Sequence, residues 1–484
     1  MAESLKSKTI KGVCWSATDA FLGQGVSFIV GIILARILSP EEYGLIGIVM
    51  IFVTVLGGVV DSGFSTAMIR KQNANDDDYN TMFYTNFVFS IVLYVVLVSV
   101  SSFIATFFDR KELQMLIPAM GLILIINALS LTQYTILTKR IDFKTKTKVS
   151  AIASITSGIA GIISAYQGFG VWALVIQKIL QQSLYTTFLW IFNKWRPAIK
   201  FSKDSFHYMW GFGWKMLLSG LLNNIWNQIY QVVVGKYYNP SILGQYSRAN
   251  DYAKIFSENL TVIIQRVSYP VLANIQNDKE RMIAAYRKII KISMFVTLIC
   301  MFFIGAVSEP LILFLIGDKW LEASYFLPLI CISMSLYPLH AVNLNMLQVQ
   351  GRSDVFLYLE VAKKIIAIGP ICLGIFIGIK AMLIGSIATG VIAYFLNSYY
   401  TGKILKYNSW MQIKDISFSF LLATLIASSV YFLKFLPFHS GYILCLQILT
   451  GLVVFVIVCK LVQPMEYVEI RTLGIKIIEK IKRK

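Results

Sequence analysis

The sequence predicts an all-α integral membrane protein of about fourteen transmembrane helices, arranged as two parallel-related six-helix lobes and a C-terminal helix pair. Three observations carry that expectation. Of 484 residues, 57% are hydrophobic and 14% charged, where soluble chains carry about 25% charge, and the mean hydropathy is +0.67. The apolar residues arrive in blocks of roughly 20, the length a helix needs to cross the hydrocarbon core. The polar joints between blocks hold most of the Lys and Arg. A soluble enzyme, a disordered tail and a transmembrane β-barrel, whose strands alternate over ~10 residues, are thereby excluded. The net charge of +19 belongs to loops held on one side of a membrane, so no nucleic-acid partner is expected.

Windows of about 19 residues place spans near 13–35, 43–68, 82–107, 115–138, 149–166, 170–192, 209–234, 246–273, 288–315, 323–348, 355–379, 382–402, 413–436 and 441–461. The N-terminal lysines precede an apolar run that continues to about Leu34 without a small-residue cleavage site, so it reads as a retained first helix rather than a signal peptide. Lys6, Lys8 and Lys11, then Arg70 and Lys71, then Lys139 to Lys148, then Lys194 to Lys203 fall on alternate joints, and Arg287, Lys288, Lys291, Lys403, Lys406 and Lys414 continue the series. The opposite joints carry mostly single cations such as Lys236, Lys319, Lys380 and Lys434. The positive-inside rule therefore puts both termini in the cytoplasm. No joint is long enough to form a catalytic domain; the longest, around 193–208, is a basic strip.

At an offset near 200 residues the chain matches itself. Gly12-Val-Cys-Trp15 returns as Gly211-Phe-Gly-Trp214, and Arg36-x-x-x-Pro40-x-x-x-Gly44 as Lys236-x-x-x-Pro240-x-x-x-Gly244. The second match is a helix start, with Ser39 and Asn239 as N-caps, Pro40 and Pro240 at the first helical position, and Glu42 completing a capping box. An even number of spans separates the copies, so the halves share an orientation, the parallel-repeat plan of several secondary transporters. Chance recurrence of Pro-x-x-x-Gly hairpins is the alternative. The reading divides the chain into a lobe at 1–200, a second lobe at 201–408, and a helix pair with a basic tail at 409–484.

Ionisable residues within spans are costly, at roughly 2.5 kcal/mol or more, and mark candidate sites. Lys178, Lys215, Arg248, Lys254, Arg266, Lys363 and Lys364 lie in or beside spans. In the eighth span Arg248, Asp251, Lys254, Glu258, Gln265 and Arg266 fall on one arc of roughly 120°. Such a stripe faces a wet cavity or an ionic partner; alternatively Arg248–Asp251 and Lys254–Glu258 neutralise each other along the helix, which still leaves Arg266 without a local partner. The first span presents Gly12, Ser16, Asp19, Gly23 and Ser27 on one face, and the seventh presents Ser219, Asn223, Asn227 and Tyr230. Asp19 and Asp61 are candidate H+ or Na+ coupling sites, or equally hydrogen-bonded structural carboxylates. Pro118, Pro310, Pro328, Pro338 and Pro370 are expected to kink helices. Six cysteines without CxxC spacing and three scattered histidines give no metal site and no disulfide framework. No cofactor is expected.

Several segments carry a resemblance: Lys8-Thr-Ile-Lys-Gly-Val-Cys-Trp-Ser-Ala17, Leu34-Ala-Arg-Ile-Leu-Ser-Pro-Glu-Glu-Tyr-Gly-Leu45, Asp61-Ser-Gly-Phe64, Gly244-Gln-Tyr-x-x-Ala249, Arg266-Val-x-Tyr-Pro-x-Leu-Ala-Asn-Ile-Gln-Asn-Asp278 and Gly317-Asp-Lys-Trp320. Together, in this order over most of the first 350 residues, they resemble the Wzx-type lipid-linked oligosaccharide flippases of bacterial polysaccharide export, nearest the colanic-acid type. That superfamily also holds the multidrug/cation antiporters and the lipid II flippases. The resemblance implies a V-shaped pair of six-helix lobes with two added helices, in the bacterial cytoplasmic (inner) membrane. It also implies a substrate: an undecaprenyl-diphosphate-linked repeat unit, for lipopolysaccharide, O-antigen or similar surface polysaccharide, turned from the inner to the outer leaflet by alternating access. A diphosphate needs a wet cationic cavity, with Arg suited to bidentate contact. On this reading Arg266, Arg248 and Lys254, with Lys215, contact the diphosphate or acidic sugars, and Asn223, Asn227, Gln228 and Tyr230 face the glycan. The lysines between Lys139 and Lys148 attract anionic lipid headgroups or are simply topogenic. Further partners are membrane lipids and polysaccharide polymerase machinery. The rivals are a multidrug/cation antiporter or a lipid II flippase of the same fold, and an enzyme on the same lipid carrier is disfavoured because no large outer loop or metal-binding carboxylate motif is present.

Overall fold

The computed structural model describes residues 23–61 and 63–472, with the backbone alone at Arg266, Val267 and Ser353. Gly12, Cys14, Trp15, Ser16 and Asp19 lie outside the described residues, so of the aromatic-glycine match only the second copy, at 211–214, is described. The chain forms two compact units, Met1–Gly244 and Gln245–Lys484. Among the described residues regular structure is helical throughout, and nine helices are long and apolar enough to cross a bilayer.

The helices of the first unit are, in chain order and whatever their length, α1 (Gly23–Ile37), α2 (Pro40–Asp61), α3 (Phe64–Arg70), α4 (Asp76–Ser99), α5 (Ser101–Phe108), α6 (Leu113–Lys139), α7 (Phe143–Tyr166), α8 (Val171–Phe192) and α9 (Lys203–Tyr237). In the second they are α10 (Pro240–Asn274, which begins in the first), α11 (Lys279–Ala306), α12 (Ser308–Ile316), α13 (Leu321–Met334), α14 (Tyr337–Val349), α15 (Ser353–Ile366), α16 (Ile368–Phe376), α17 (Ile379–Leu405), α18 (Ser409–Tyr431) and α19 (Ser440–Val462). The expected spans fall on single helices or on pairs such as α2–α3, α4–α5, α11–α12, α13–α14 and α15–α16. Only some breaks belong to proline. Pro310, Pro338 and Pro370 each sit in the first turn after a break, where a missing N–H costs nothing. Pro118 and Pro328 lie inside the unbroken α6 and α13. The α2–α3 break comes at Gly63, whose φ of 70° is open to glycine without strain.

The repeated helix start is built as its residue types dictate. Ser39 N and Oγ donate to Glu42 Oε2 at 2.6 and 2.9 Å while Glu42 N donates back to Ser39 Oγ at 3.3 Å, closing the capping box. Asn239 Oδ1 accepts from Ile242 N at 2.8 Å. The two starts also pack on each other reciprocally. A Cβ on Gly44 would lie 1.8 Å from the Pro240 carbonyl oxygen, and one on Gly244 would lie 1.9 Å from that of Pro40. The Pro-x-x-x-Gly spacing thus supplies the cap and the smooth face that lets the backbones of α2 and α10 touch.

In the second unit α18 runs along α11, and Phe295, Leu422, Ile426 and Cys459 bury together where α19 joins them. Gln447 Nε2 donates to Val430 O at 2.9 Å between α19 and α18. A polar core lies beneath: Tyr286 OH and Thr401 Oγ1 donate to Asn343 Oδ1 at 2.8 and 2.7 Å, and Asn343 Nδ2 donates to Gln412 Oε1 at 3.2 Å. These four residues, from α11, α17, α14 and α18, are fully buried, and they supply one another's partners where lipid supplies none.

Candidate functional site

Ser202 caps α9, its Oγ accepting from Ser205 N at 3.2 Å. Apolar residues near the helix start hold it against α3: Met209 buries beside Phe64, Met68 and Met82, and the Phe64 ring lies 6.3 Å from Trp210 and 6.5 Å from Phe206. At Gly63 a Cβ would meet Met216 Cβ at 2.7 Å, so the α2–α3 break presses on this side of α9. Lys215, Ser219, Asn223 and Asn227, spaced by four, are all exposed in one row. Lys215 Nζ stands 5.9 Å from the Trp214 ring. Gln228 and Tyr230 are half-buried, and Gln228 Oε1 is a buried acceptor with no hydrogen-bond donor among the described residues.

The 35-residue α10 divides polar residues between two faces. One face is tied to α13, α14 and the turn before them. Gln245 Nε2 donates to Lys319 O at 2.7 Å and its Oε1 accepts from Ala323 N at 2.9 Å. Ser257 Oγ donates to Met334 O at 2.9 Å, and Ser268 Oγ accepts from Asn345 Nδ2 at 3.1 Å. Gln245 thereby joins two of the motif segments, Gly244–Ala249 and Gly317–Trp320, with Trp320 fully buried.

The other face carries the stripe read from the sequence. Asp251, Glu258 and Gln265 are exposed and Lys254 partly so. Arg248 NH1 lies 3.8 Å from Asp251 Oδ2, and Lys254 Nζ lies 3.8 Å from Glu258 Oε1. At 3.8 Å, with both carboxylates exposed, these are loose pairs, worth about 0.3–0.5 kcal/mol each. The backbone of Arg266 is helical and its side chain lies outside the described residues. The α9 row belongs to the first unit and the described part of the stripe to the second.

Of the two coupling candidates, Asp19 lies outside the described residues. Asp61 Oδ1 accepts from the Ser65 hydroxyl and from Ser65 N at 3.3 Å, so it caps the first turn of α3 across the Gly63 break. Joint lysines also have internal work. Lys139 Nζ donates to the carbonyls of Met68 and Lys71 at the end of α3, a cation at a helix C-terminus. Lys71 pairs with buried Asp78 at 2.6 Å, and buried Lys146 lies 3.7 Å over the Tyr134 ring. In the same first turns of α7, Lys144 and Lys148 are exposed.

Sequence reading did not single out the second unit's ionic cluster. Asp415 accepts two hydrogen bonds from Arg287, at 2.8 and 2.9 Å, with Lys291 at 3.4 Å and Tyr407 OH donating at 2.7 Å. The clue was a lone carboxylate near the start of an apolar block. Among the described residues no group of His, Cys, Asp and Glu is placed to hold a metal ion, and the described cysteines are free.

The family described as "Polysaccharide biosynthesis protein" matches residues 33–325. The succinoglycan biosynthesis transport protein ExoT of Rhizobium meliloti (strain 1021) is 24% identical over 79% of this chain and 78% of its own length. The lipopolysaccharide biosynthesis protein WzxC of Escherichia coli (strain K12) is 22% identical over 77% and 76%. Among solved structures the fold is similar to the lipid II flippase MurJ in an inward closed conformation, with a TM-score of 0.71 at 17% identity, covering 93% of this chain and 97% of that one.

Proposed function

The chain belongs to the polysaccharide biosynthesis protein family, and on that premise we propose that it flips undecaprenyl-diphosphate-linked oligosaccharide repeat units from the inner to the outer leaflet of the bacterial cytoplasmic membrane. It acts as a transporter and not as an enzyme, by alternating access between lobes at 1–200 and 201–408, with the pair at 409–484 as an addition. Both termini are cytoplasmic. Relatives named for the biosynthesis and transport of surface polysaccharides support the substrate class.

The observation that carries this reading is the exposed polar face on each of the two 35-residue helices. An exposed row of Lys215, Ser219, Asn223 and Asn227 in hydrocarbon would be expensive, whereas against a hydrated glycan each group finds partners. Arg248, Lys254 and Arg266, with Lys215, bind the diphosphate or acidic sugars, exchanging weak pairs with Asp251 and Glu258 for bidentate phosphate contact. Asn223, Asn227, Gln228 and Tyr230 meet the sugars. The polyprenyl tail stays in lipid, and Asp19 and Asp61 are the candidate H+ or Na+ carriers. Polysaccharide polymerase machinery receives the product.

The test is translocation of a lipid-diphosphate-linked oligosaccharide in proteoliposomes, comparing the parent with Arg266→Ala and Asp61→Asn, with and without a proton or Na+ gradient. Arg266→Ala is expected to lower the rate at least tenfold, a rise of about 1.4 kcal/mol or more in the transport barrier. Loss of gradient dependence in Asp61→Asn assigns coupling. Export of organic cations with no movement of lipid-linked sugar overturns the proposal in favour of an antiporter.

A further inference from the structure

The joint between α8 and α9 is a non-helical strap, residues 193–202, that the first unit holds in one shape. Trp195 O accepts from Gln133 Nε2 at 3.1 Å, Ala198 N donates to Asn80 Oδ1 at 2.9 Å, and Ser202 N donates to Thr81 Oγ1 at 3.0 Å. The Trp195 ring packs 6.1 Å from Phe83 and 6.3 Å from Tyr79. Arg196, itself exposed, folds back along the strap, donating to the carbonyls of Asn193 and Trp195 at 2.7 and 2.8 Å, with its guanidinium 5.5 Å from Trp190.

The outward side is unlike an ordinary loop. Ile199 is 96% exposed and Phe201 57%, although a backbone pinned at three points had every opportunity to bury them. Lys194, Lys200 and Lys203 are exposed around them and make no ion pair among the described residues. Asp204 follows Lys203 in the chain, Asp76 and Asp77 lie one turn before the Asn80 and Thr81 that hold the strap, and Asp78 is already paired with Lys71. Two apolar side chains projecting between lysines from a rigid strap suit the boundary where acyl chains meet charged headgroups.

We propose that this strap is a built docking surface for anionic phospholipids of the cytoplasmic leaflet, with Ile199 and Phe201 seated at the acyl boundary and Lys194, Lys200 and Lys203 against lipid phosphates. The proposal rests on the orientation given under the proposed function, and the occupant is the bulk anionic lipid of the leaflet rather than the transported molecule. Each lysine near such a surface contributes about fivefold in partition, weakened by salt.

The experiment uses the full chain with its native cysteines replaced and Ile199→Cys carrying a polarity-sensitive fluorophore. The protein is reconstituted into vesicles of phosphatidylcholine with increasing phosphatidylglycerol. The expected result is an emission shift to an apolar environment that grows with phosphatidylglycerol and reverses as salt rises from about 0.1 to about 1 M. Adding Lys194→Gln, Lys200→Gln and Lys203→Gln, in protein that melts as the parent does, is expected to raise the phosphatidylglycerol fraction at half-shift at least threefold. Water-like emission in every vesicle overturns the proposal, as does a shift indifferent to phosphatidylglycerol and to the lysines. Labelling of the same cysteine in intact cells by an impermeant thiol reagent separates the failures. Reaction from outside sinks the assigned leaflet and the orientation reading, even where the lipid response in vesicles survives.

Discussion

The two sets of polar residues in this chain differ in what surrounds them. The core joining α11, α14, α17 and α18 buries Tyr286, Asn343, Thr401 and Gln412 completely and closes its hydrogen bonds internally. The outward faces of α9 and α10 leave Lys215, Asn223, Asn227, Asp251 and Glu258 exposed, with ion pairs no shorter than 3.8 Å. The contrast teaches that a polar residue in an apolar span is not by itself a site. Where side chains answer one another they hold helices together, and on α9 and α10 they stand open. The first kind should be visible in stability, the second in transport.

The sharpest separation comes from Asn343→Leu. The substitution strips the acceptor from the Tyr286 hydroxyl and the donor from Gln412 Oε1, both buried, at about 1–3 kcal/mol per stranded group, while Thr401 Oγ1 keeps the Asn397 carbonyl at 2.9 Å. A total near 3 kcal/mol is expected, seen as a drop of about 3–6 °C in the melting temperature of the purified protein. An unchanged melting temperature would remove the distinction drawn above. Next in size is Gly44→Ala. A methyl placed 1.8 Å from the Pro240 carbonyl must push α2 and α10 apart, at a cost of about 1–3 kcal/mol. Because Gly244 meets Pro40 in the same way, the double variant Gly44→Ala/Gly244→Ala is expected to cost less than the two single losses added together. Strict additivity in thermal melts would show that the contacts are independent.

Those particular residues also show how far the sequence could be read. Helix-length apolar blocks dictate helices because a backbone in lipid has no other donors and acceptors, and the caps at Ser39 and Asn239 are local chemistry, legible from a few adjacent residues. The α10 stripe was legible for the same reason, since 100° per residue puts Asp251, Lys254 and Glu258 on one side whatever they face. What packs on them was not legible. Nothing local says that Gly44 would meet Pro240, that Lys139 would close the end of α3, or that Arg287, taken as topogenic charge, would grip Asp415. These are contacts across long stretches of chain, set by packing rather than by periodicity. Pro118 and Pro328 lie within the continuous α6 and α13, since an internal proline removes one backbone donor and bends a helix without having to end it.

Moving down in stability effect, Asn223→Ala with Asn227→Ala is expected to leave the stability within about 0.5 kcal/mol of the parent's, as for exposed positions generally. Transport of the lipid-linked sugar should fall about tenfold, equivalent to about 1.4 kcal/mol. A large drop in stability with no specific transport defect would place these amides with the structural core instead.

The smallest effect is expected at the start of α15. Arg352 holds Asp354 by two hydrogen bonds, at 3.0 and 2.9 Å, and keeps its carboxyl down at about 2. The pair is well formed, yet both side chains are mostly in solvent, where screening and side-chain entropy cancel most of the attraction. A carboxyl depressed on folding contributes stability above its unfolded value, ordinarily 3.8, and loses it as pH falls through about 2. Between pH 5 and pH 9 the pair is therefore constant, and Arg352→Ala should leave both the melting temperature and its pH dependence in that range unchanged. A clear shift in either would mean that this ion pair is covered when the protein sits in its membrane, and would move it from the open class of polar residues to the closed one.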